Sequence, residues 1–244
     1  MSDIQKIALI TGAARRIGAN IAKTLHEAGY GVVIHYRKSS MEANELVRQL
    51  NERRANSAWA VKADLRSVEQ IKFLFDETMV AAGRLDVLVN NASSFYPTPM
   101  GGVAEQQWDD LLGSNLKAPF FISQAAAPEL KKRRGCIVNI VDIYAKRSLA
   151  DYPVYSVAKA GLYALTESLA KELAPEVRVN GVSPGVILWP QAGAVKEAEK
   201  VLAKIPLQRQ GSAKDIAETV FFLVAQASYI TGQVIAVDGG KSLL

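Results

Sequence analysis

Short apolar runs alternate with amphipathic stretches along the whole chain. The runs fall at Lys6–Ile10, Gly31–Tyr36, Ser57–Val61, Leu85–Ala92, Cys136–Val141, Val177–Val182 and Gln233–Val237. Their length and their bounding polar or glycine residues predict buried strands. Between them apolar residues recur at helical spacing. Ile17, Ile21 and Leu25 form one face that stops at Gly29, and Leu46 and Leu50 share a face of a helix over Met41–Arg53. Further helices are predicted over Val68–Ala82, closed by Gly83, near Gln106–Lys117, near Phe120–Leu130, from Pro153 to about Leu173, and from a Ser212 cap through Leu223. Strands alternating with helices predict an α/β doubly wound parallel sheet covered on both faces. No linker or repeat interrupts the pattern, so one domain is expected over residues 1–244, with a lid-like substrate segment near 187–210.

Composition narrows the class of protein only modestly. Hydrophobic residues make up 49% and charged residues 22%, as in an ordinary globular chain. The single cysteine, Cys136, excludes an internal disulfide framework and cannot alone build a zinc site; its apolar run marks it as a core residue. No metal site is expected. A net charge of +5, spread along the chain, is weak ground for nucleic acid. Its densest run, Lys131–Arg134 before Gly135, suits a helix end. No run approaches the roughly 20 apolar residues that cross a bilayer, and Met1–Lys6 carries no signal-peptide pattern, so a cytoplasmic location and no membrane partner are expected.

Chemistry-bearing residues gather after the predicted strands. Thr11-Gly12-Ala13-Ala14-Arg15-Arg16-Ile17-Gly18 joins a strand to a helix start, which is a phosphate cradle. His35 and Tyr36 end the second strand, and Arg37, Lys38, Ser39 and Ser40 follow where an NAD site offers a carboxylate; this basic set suits a 2′-phosphate and favours NADPH. Asp64 ends the third strand, where position alone leaves open an adenine contact or a helix cap. Tyr155 and Lys159 lie one turn apart on the Pro153 helix, so the ammonium is expected to lower the phenol below its usual value of about 10. Asp142, at the end of a buried strand, is a further site candidate, with pairing to Arg147 or turn capping as the bland alternatives.

Thr11-Gly12 with Gly18, Asn90-Asn91-Ala92, Asn115, Tyr155 with Lys159, and Ser183-Pro184-Gly185 together resemble the short-chain dehydrogenase/reductase family across essentially the whole chain. The resemblance implies a Rossmann-type sheet of about seven strands, a nicotinamide cofactor and a homotetramer. Three positions depart from the common pattern: Arg16 and Ser93 stand where glycine is usual, and Asp142 replaces the catalytic serine. These departures, with Arg15-Arg16, His35-Tyr36, the Ser93-Ser94-Phe95-Tyr96-Pro97-Thr98 loop and Tyr152-Pro153-Val154-Tyr155-Ser156, resemble the pteridine reductase branch.

Carried over by position, Asp142 and Tyr155 would donate protons, Lys159 would bind the nicotinamide ribose, and Asn115 would support the lysine's proton relay. Phe95 would stack on a pterin, with Ser93 and Arg16 at its polar edge or on the cofactor phosphates. Arg37, Lys38 and Ser39 would hold the 2′-phosphate and Asp64 the adenine. Gly12, Ile17, Gly18, His35, Tyr36, Leu65, Asn91, Ala92, Pro184 and Gly185 would complete the NADPH/NADP site, and Leu188 and Trp189 the substrate pocket. The expected activity is reduction of a dihydropterin or dihydrofolate to its tetrahydro form. The rivals are a carbonyl or 3-oxoacyl-carrier-protein reductase and a non-catalytic NADPH-binding regulator; a small-molecule partner and no nucleic acid are expected.

Overall fold

The computed structural model describes residues 5–187 and 201–243. Seven parallel strands form one sheet in the order β3-β2-β1-β4-β5-β6-β7. They are β1 (Ile7–Ile10), β2 (Gly31–Tyr36), β3 (Ala58–Lys62), β4 (Val87–Asn90), β5 (Cys136–Ile140), β6 (Arg178–Pro184) and β7 (Val234–Val237). The helices, numbered in chain order among the described residues, are α1 (Arg16–Glu27), α2 (Ser40–Arg53), α3 (Val68–Ala82), α4 (Glu105–Leu112), α5 (Ala118–Arg133), α6 (Pro153–Glu172) and α7 (Ala213–Ala225). None of the described helices is long and apolar enough to cross a membrane.

The pleat sends alternate side chains to opposite faces, and β1 shows the result. Ala8 and Ile10 join a core with Ile21 and Leu25 of α1, Leu46 and Leu50 of α2, and Ile216 and Val220 of α7. Ile7 and Leu9 join the opposite core with Ile71 and Leu74 of α3 and Ile122, Ala126 and Leu130 of α5. Both faces are therefore covered, as the Rossmann-type pattern requires. Burial of Cys136 in the first core pushes its thiol up to about 11, which keeps it an unreactive packing residue.

Caps and glycines fix the ends as their chemistry dictates. Gly83 closes α3 at φ 71°, a conformation open to glycine at no steric cost. Ser212 and Asp215 exchange bonds in a capping box at the start of α7. At Gly161 a side-chain carbon would stand 2.7 Å from Leu116, so glycine lets α6 approach the preceding helix. A buried amide chain ties α6 to the sheet: Asn90 Nδ2 donates to Asn139 Oδ1 at 2.8 Å, and Asn139 Nδ2 donates to Thr166 Oγ1 at 2.9 Å.

Two differences from the sequence pattern bear on the site. β4 is shorter than the apolar run, because the Asp86 carboxylate takes the Ile7 N–H at 2.8 Å before the strand begins and Asn91 turns toward β1 after it ends. The expected helices near 106–117 and 120–130 are one rod, joined by a π-helical turn over Gly113–Lys117 that contains Asn115. Pro119 has no N–H for the carbonyl four residues back, that of Asn115, so an α-turn cannot close there.

Candidate active site

The strand order reverses between β1 and β4, and the crevice beyond their carboxyl ends is where ligands bind in such sheets. Thr11 seals its floor. Its hydroxyl accepts the N–H of Asn91 at 2.9 Å and of Ala92 at 3.0 Å, while Asn91 Nδ2 donates to the carbonyls of Thr11 at 2.8 Å and Gly12 at 3.1 Å. Gly12 lies at φ 62°, and a side-chain carbon there would stand 2.9 Å from Ala92 Cα; one at Gly18 would stand 2.5 Å from Asn91 Nδ2. Backbone thus comes closer to backbone than any side chain permits, and the cradle stays open for a phosphate. Arg16 occupies a position of the same kind at φ 55°, a left-handed conformation that strains a residue with a side chain.

Around this cradle runs a cleft of about 430 Å³ lined by Gly12, Arg16, Ile17, Gly18, His35, Tyr36, Arg37, Lys38, Ser39, Asp64, Leu65, Asn91, Ala92 and Ser93. Most of the proposed cofactor set therefore meets in one place; Tyr155, Lys159, Pro184 and Gly185 are not among the lining residues. Gly185 instead abuts Asp238, where an added carbon would stand 2.5 Å from the aspartate's own Cβ. The helix-cap reading of Asp64 does not hold, because Ser67 caps α3. Asp64 accepts from Arg66 at 2.6 Å, which holds its carboxyl down at about 2.

His35 is buried under the cradle and joins three elements. Its Nδ1 accepts the Gly12 N–H at 3.0 Å, so Nε2 carries the proton and donates to the Ala63 carbonyl at 3.1 Å. Burial pushes its pKa down from 6.5 to about 4. The unfolded chain therefore binds the proton more tightly than the native state. The stabilisation is complete above pH 6.5 and is lost as pH falls from there to about 4, a loss of about 3 kcal/mol. Urea unfolding of the wild type should show this slope, and His35→Asn, which retains an acceptor near Gly12 but does not titrate, should show less of it by that amount. Equal slopes would refute the assignment.

Beyond Ser94 the second half of the site begins. Tyr155, 4% exposed on the first turn of α6, donates its hydroxyl to Asp142 Oδ2 at 2.7 Å. Asp142 Oδ1 accepts the Tyr144 N–H at 2.9 Å, so the carboxylate also caps a short 3₁₀ turn, Ile143–Ala145. Burial raises the Asp142 pKa; the hydrogen bonds and the Lys159 charge oppose the rise. Lys159 is fully buried, donates to the Ile140 carbonyl at 2.9 Å, and is pushed down from 10.5 to about 8 by burial.

The expectation that Lys159 lowers Tyr155 is not met. Burial and the adjacent Asp142 carboxyl hold the phenol well above its usual value. The ammonium stands 5.7 Å from the ring centroid, with its hydrogen bond spent on Ile140, whereas the carboxyl is in direct contact. Asn115 does not touch Lys159 through its amide either: Nδ2 donates to Ser94 and Leu111 carbonyls, both at 2.9 Å, and Oδ1, buried, has no hydrogen-bond partner among the described residues.

Phe95 stands over this pair, 52% exposed, stacked on Tyr152 at 4.6 Å and edge-on to Tyr155 at 4.8 Å. Tyr152 entered the sequence reading only within the Tyr152-Pro153-Val154-Tyr155-Ser156 motif, with no role assigned. Asp110 left no sequence signal: it accepts from Tyr96 at 3.1 Å and pairs with Arg66 at 3.2 Å and Arg37 at 3.9 Å, linking the aromatic loop to the basic side of the cleft. Leu188 and Trp189 lie outside the described residues. Among the described residues no group of His, Cys, Asp and Glu could hold a metal.

A glycine cradle at the switch point of a parallel sheet and a buried tyrosine–lysine helix face define a nicotinamide-dependent oxidoreductase. The chain belongs to the short-chain dehydrogenase/reductase family: a family model described as enoyl-(acyl carrier protein) reductase matches residues 12–242. Pteridine reductase 1 of Leishmania tarentolae is 41% identical over 99% of this chain and 98% of its own. The 3-oxoacyl-(acyl-carrier-protein) reductase FabG of Staphylococcus aureus strain Mu50 is 39% identical over 96% of this chain and 97% of its own. That of Staphylococcus epidermidis strain ATCC 35984 is 37% identical over 97% and 99%. NADPH is the cofactor, and the residues fit it: the open Gly12 cradle and the cations Arg37 and Lys38 face one cleft.

Proposed function

We propose that the chain is an NADPH-dependent pteridine reductase that takes a dihydropterin or dihydrofolate to its tetrahydro form. The observation that carries this reading is the hydrogen-bonded Asp142–Tyr155 pair, in which a carboxyl raised by burial takes the place of serine. When bound, NADPH supplies hydride to carbon. Reduction of a ring C=N also requires that nitrogen gain a proton, and a serine hydroxyl is a far weaker proton source than a buried carboxylic acid. Either oxygen of the pair gives up its proton at the substrate nitrogen, and the other restores it through the 2.7 Å bond. Phe95 and Tyr152 offer a flat wall to a flat ring. Arg37 and Lys38 bind the 2′-phosphate, and Lys159 holds the nicotinamide ribose.

The second reading is a 3-oxoacyl-carrier-protein reductase, supported by relatives nearly as similar as the pteridine reductase. A homotetramer is part of the proposal. The test is loss of NADPH absorbance with dihydrobiopterin, dihydromonapterin, dihydrofolate and an acetoacetyl thioester, on protein shown by light scattering to be tetrameric. Turnover of at least one dihydropterin or dihydrofolate well above the thioester is expected; turnover of the thioester alone sinks the proposal in favour of the second reading.

A further inference from the structure

Arg37 lines the cofactor cleft, but the carboxylate it pairs with does not. Among the described residues its guanidinium donates no hydrogen bond and makes one ion pair, to Asp110 Oδ1 at 3.9 Å. Asp110 lines the adjoining groove instead, with Asp64 and Arg66, which line both spaces. It is well anchored there. Oδ2 accepts from the Tyr96 hydroxyl at 3.1 Å, and Oδ1 accepts from Arg66 at 3.2 Å. Arg66 is in turn spent on Asp64, which it meets through Nη2 at 2.6 Å and Nε at 3.0 Å. The Asp110 side chain is also the more sheltered of the pair, 18% exposed against 39% for Arg37. A fixed carboxylate therefore stands outside the cleft, beside a freer cation whose donors are unspent.

The geometry points to Asp110 as a specificity-determining residue: its carboxylate competes with the cofactor's 2′-phosphate for Arg37 and so restrains the preference for NADPH over NADH. This rests on the reading of Arg37 as a ligand of the 2′-phosphate. Asp110 has two opposed effects on that phosphate. It steers Arg37 toward the site, and it repels a second anion drawn to the same cation. The steering is weak, because an ion pair at 3.9 Å without a hydrogen bond, on a partly exposed guanidinium, contributes little. A phosphate carries more charge than a carboxylate and accepts from two guanidinium nitrogens at once, so it takes Arg37 in preference to Asp110. The carboxylate cannot follow or withdraw, since Tyr96 and Arg66 hold it in place. Its sheltered charge then stands close to the bound phosphate, and the repulsion outweighs the lost steering. NADH carries no 2′-phosphate and feels much less of either effect.

The experiment measures dissociation constants of NADPH, NADH and adenosine 2′,5′-bisphosphate by titration calorimetry on the full chain, at one fixed low ionic strength. Asparagine at position 110 keeps an acceptor for Tyr96 and removes the charge. Asp110→Asn should bind NADPH and the bisphosphate about threefold more tightly or better, with NADH unchanged. Arg37→Met should weaken the first two ligands, and the gain from Asp110→Asn should shrink when both changes are combined. NADPH bound by Asp110→Asn no more tightly than by the wild type overturns the inference. So does an equal gain for NADH, or an undiminished gain in the double variant, either of which would be a diffuse effect of net charge. If Arg37→Met binds NADPH as the wild type does, the 2′-phosphate role of Arg37 falls first, and the inference with it. Weaker NADPH binding in Arg37→Met without any gain in Asp110→Asn leaves that role standing and defeats the competition alone.

Discussion

Asp142→Asn is expected to lower kcat for the preferred dihydropterin or dihydrofolate at least about 100-fold, the scale of a lost general acid, with the dissociation constant of NADPH unchanged. Asparagine keeps the shape and can still accept the Tyr144 N–H that Asp142 Oδ1 now receives, so the 3₁₀ turn keeps its cap. What it lacks is a proton to pass to Tyr155 across the 2.7 Å bond. NADPH binding is expected to hold because the role proposed for Asp142 is at the substrate nitrogen and Tyr155, not at the cofactor. Steady-state rates by NADPH absorbance and binding by NADPH fluorescence measure the two halves. A parallel loss in both would mean that Asp142 only holds the site's shape. The stability change has a definite sign. Burial raises the native Asp142 pKa above its unfolded value, so the native state holds the proton more tightly and stability falls as pH rises through that window. The asparagine variant lacks this fall and should be the more stable protein at neutral pH.

Much of the frame could be read from local pattern because local physics sets it. Strand boundaries follow where apolar runs meet glycine or a polar residue, and the cradle at Gly12 and Gly18 is a strand–turn–helix contact within a few residues. The π-helical turn at Asn115 was less visible, since a periodicity count carries no mark for one skipped hydrogen bond; Pro119 was the clue. The Asp110 contacts were invisible, because Tyr96, Arg66 and Arg37 reach it from three separate elements. The Tyr155 titration went the wrong way for a related reason. Helical spacing places Lys159 one turn away, but the nearest charge comes from another segment, and burial outweighs both. Spacing along a helix reports which side chains share a face, not which of them wins the contact.

Lys159→Met is the second large effect, and it should move activity and stability in opposite directions. Turnover should fall by about 100-fold or more, since the group proposed to hold the ribose beside Tyr155 loses its charge and its donors. Stability should rise. The fully buried ammonium has its native pKa pushed down from 10.5 to about 8, so the unfolded chain binds that proton more tightly. By linkage the wild type is destabilised below pH 8 by about 3 kcal/mol relative to its state above 10.5, and recovers that amount as pH rises between the two. Methionine retains the apolar stem without the charge. Leaving the Ile140 carbonyl without its 2.9 Å donor costs about 1 kcal/mol, less than the burial cost removed, so a net gain remains at pH 7. Urea unfolding from pH 7 to pH 10.5 reads both parts: the wild type should gain stability across the window relative to Lys159→Met. A variant less stable than the wild type at pH 7, with the same pH slope, would mean that the lysine binds its proton equally well in the native and unfolded chains and that its burial carries no such cost. Because the tyrosine–carboxyl bond already keeps Tyr155 protonated, the buried ammonium matters most once that proton has left, when it stabilises the phenolate that Asp142 reloads.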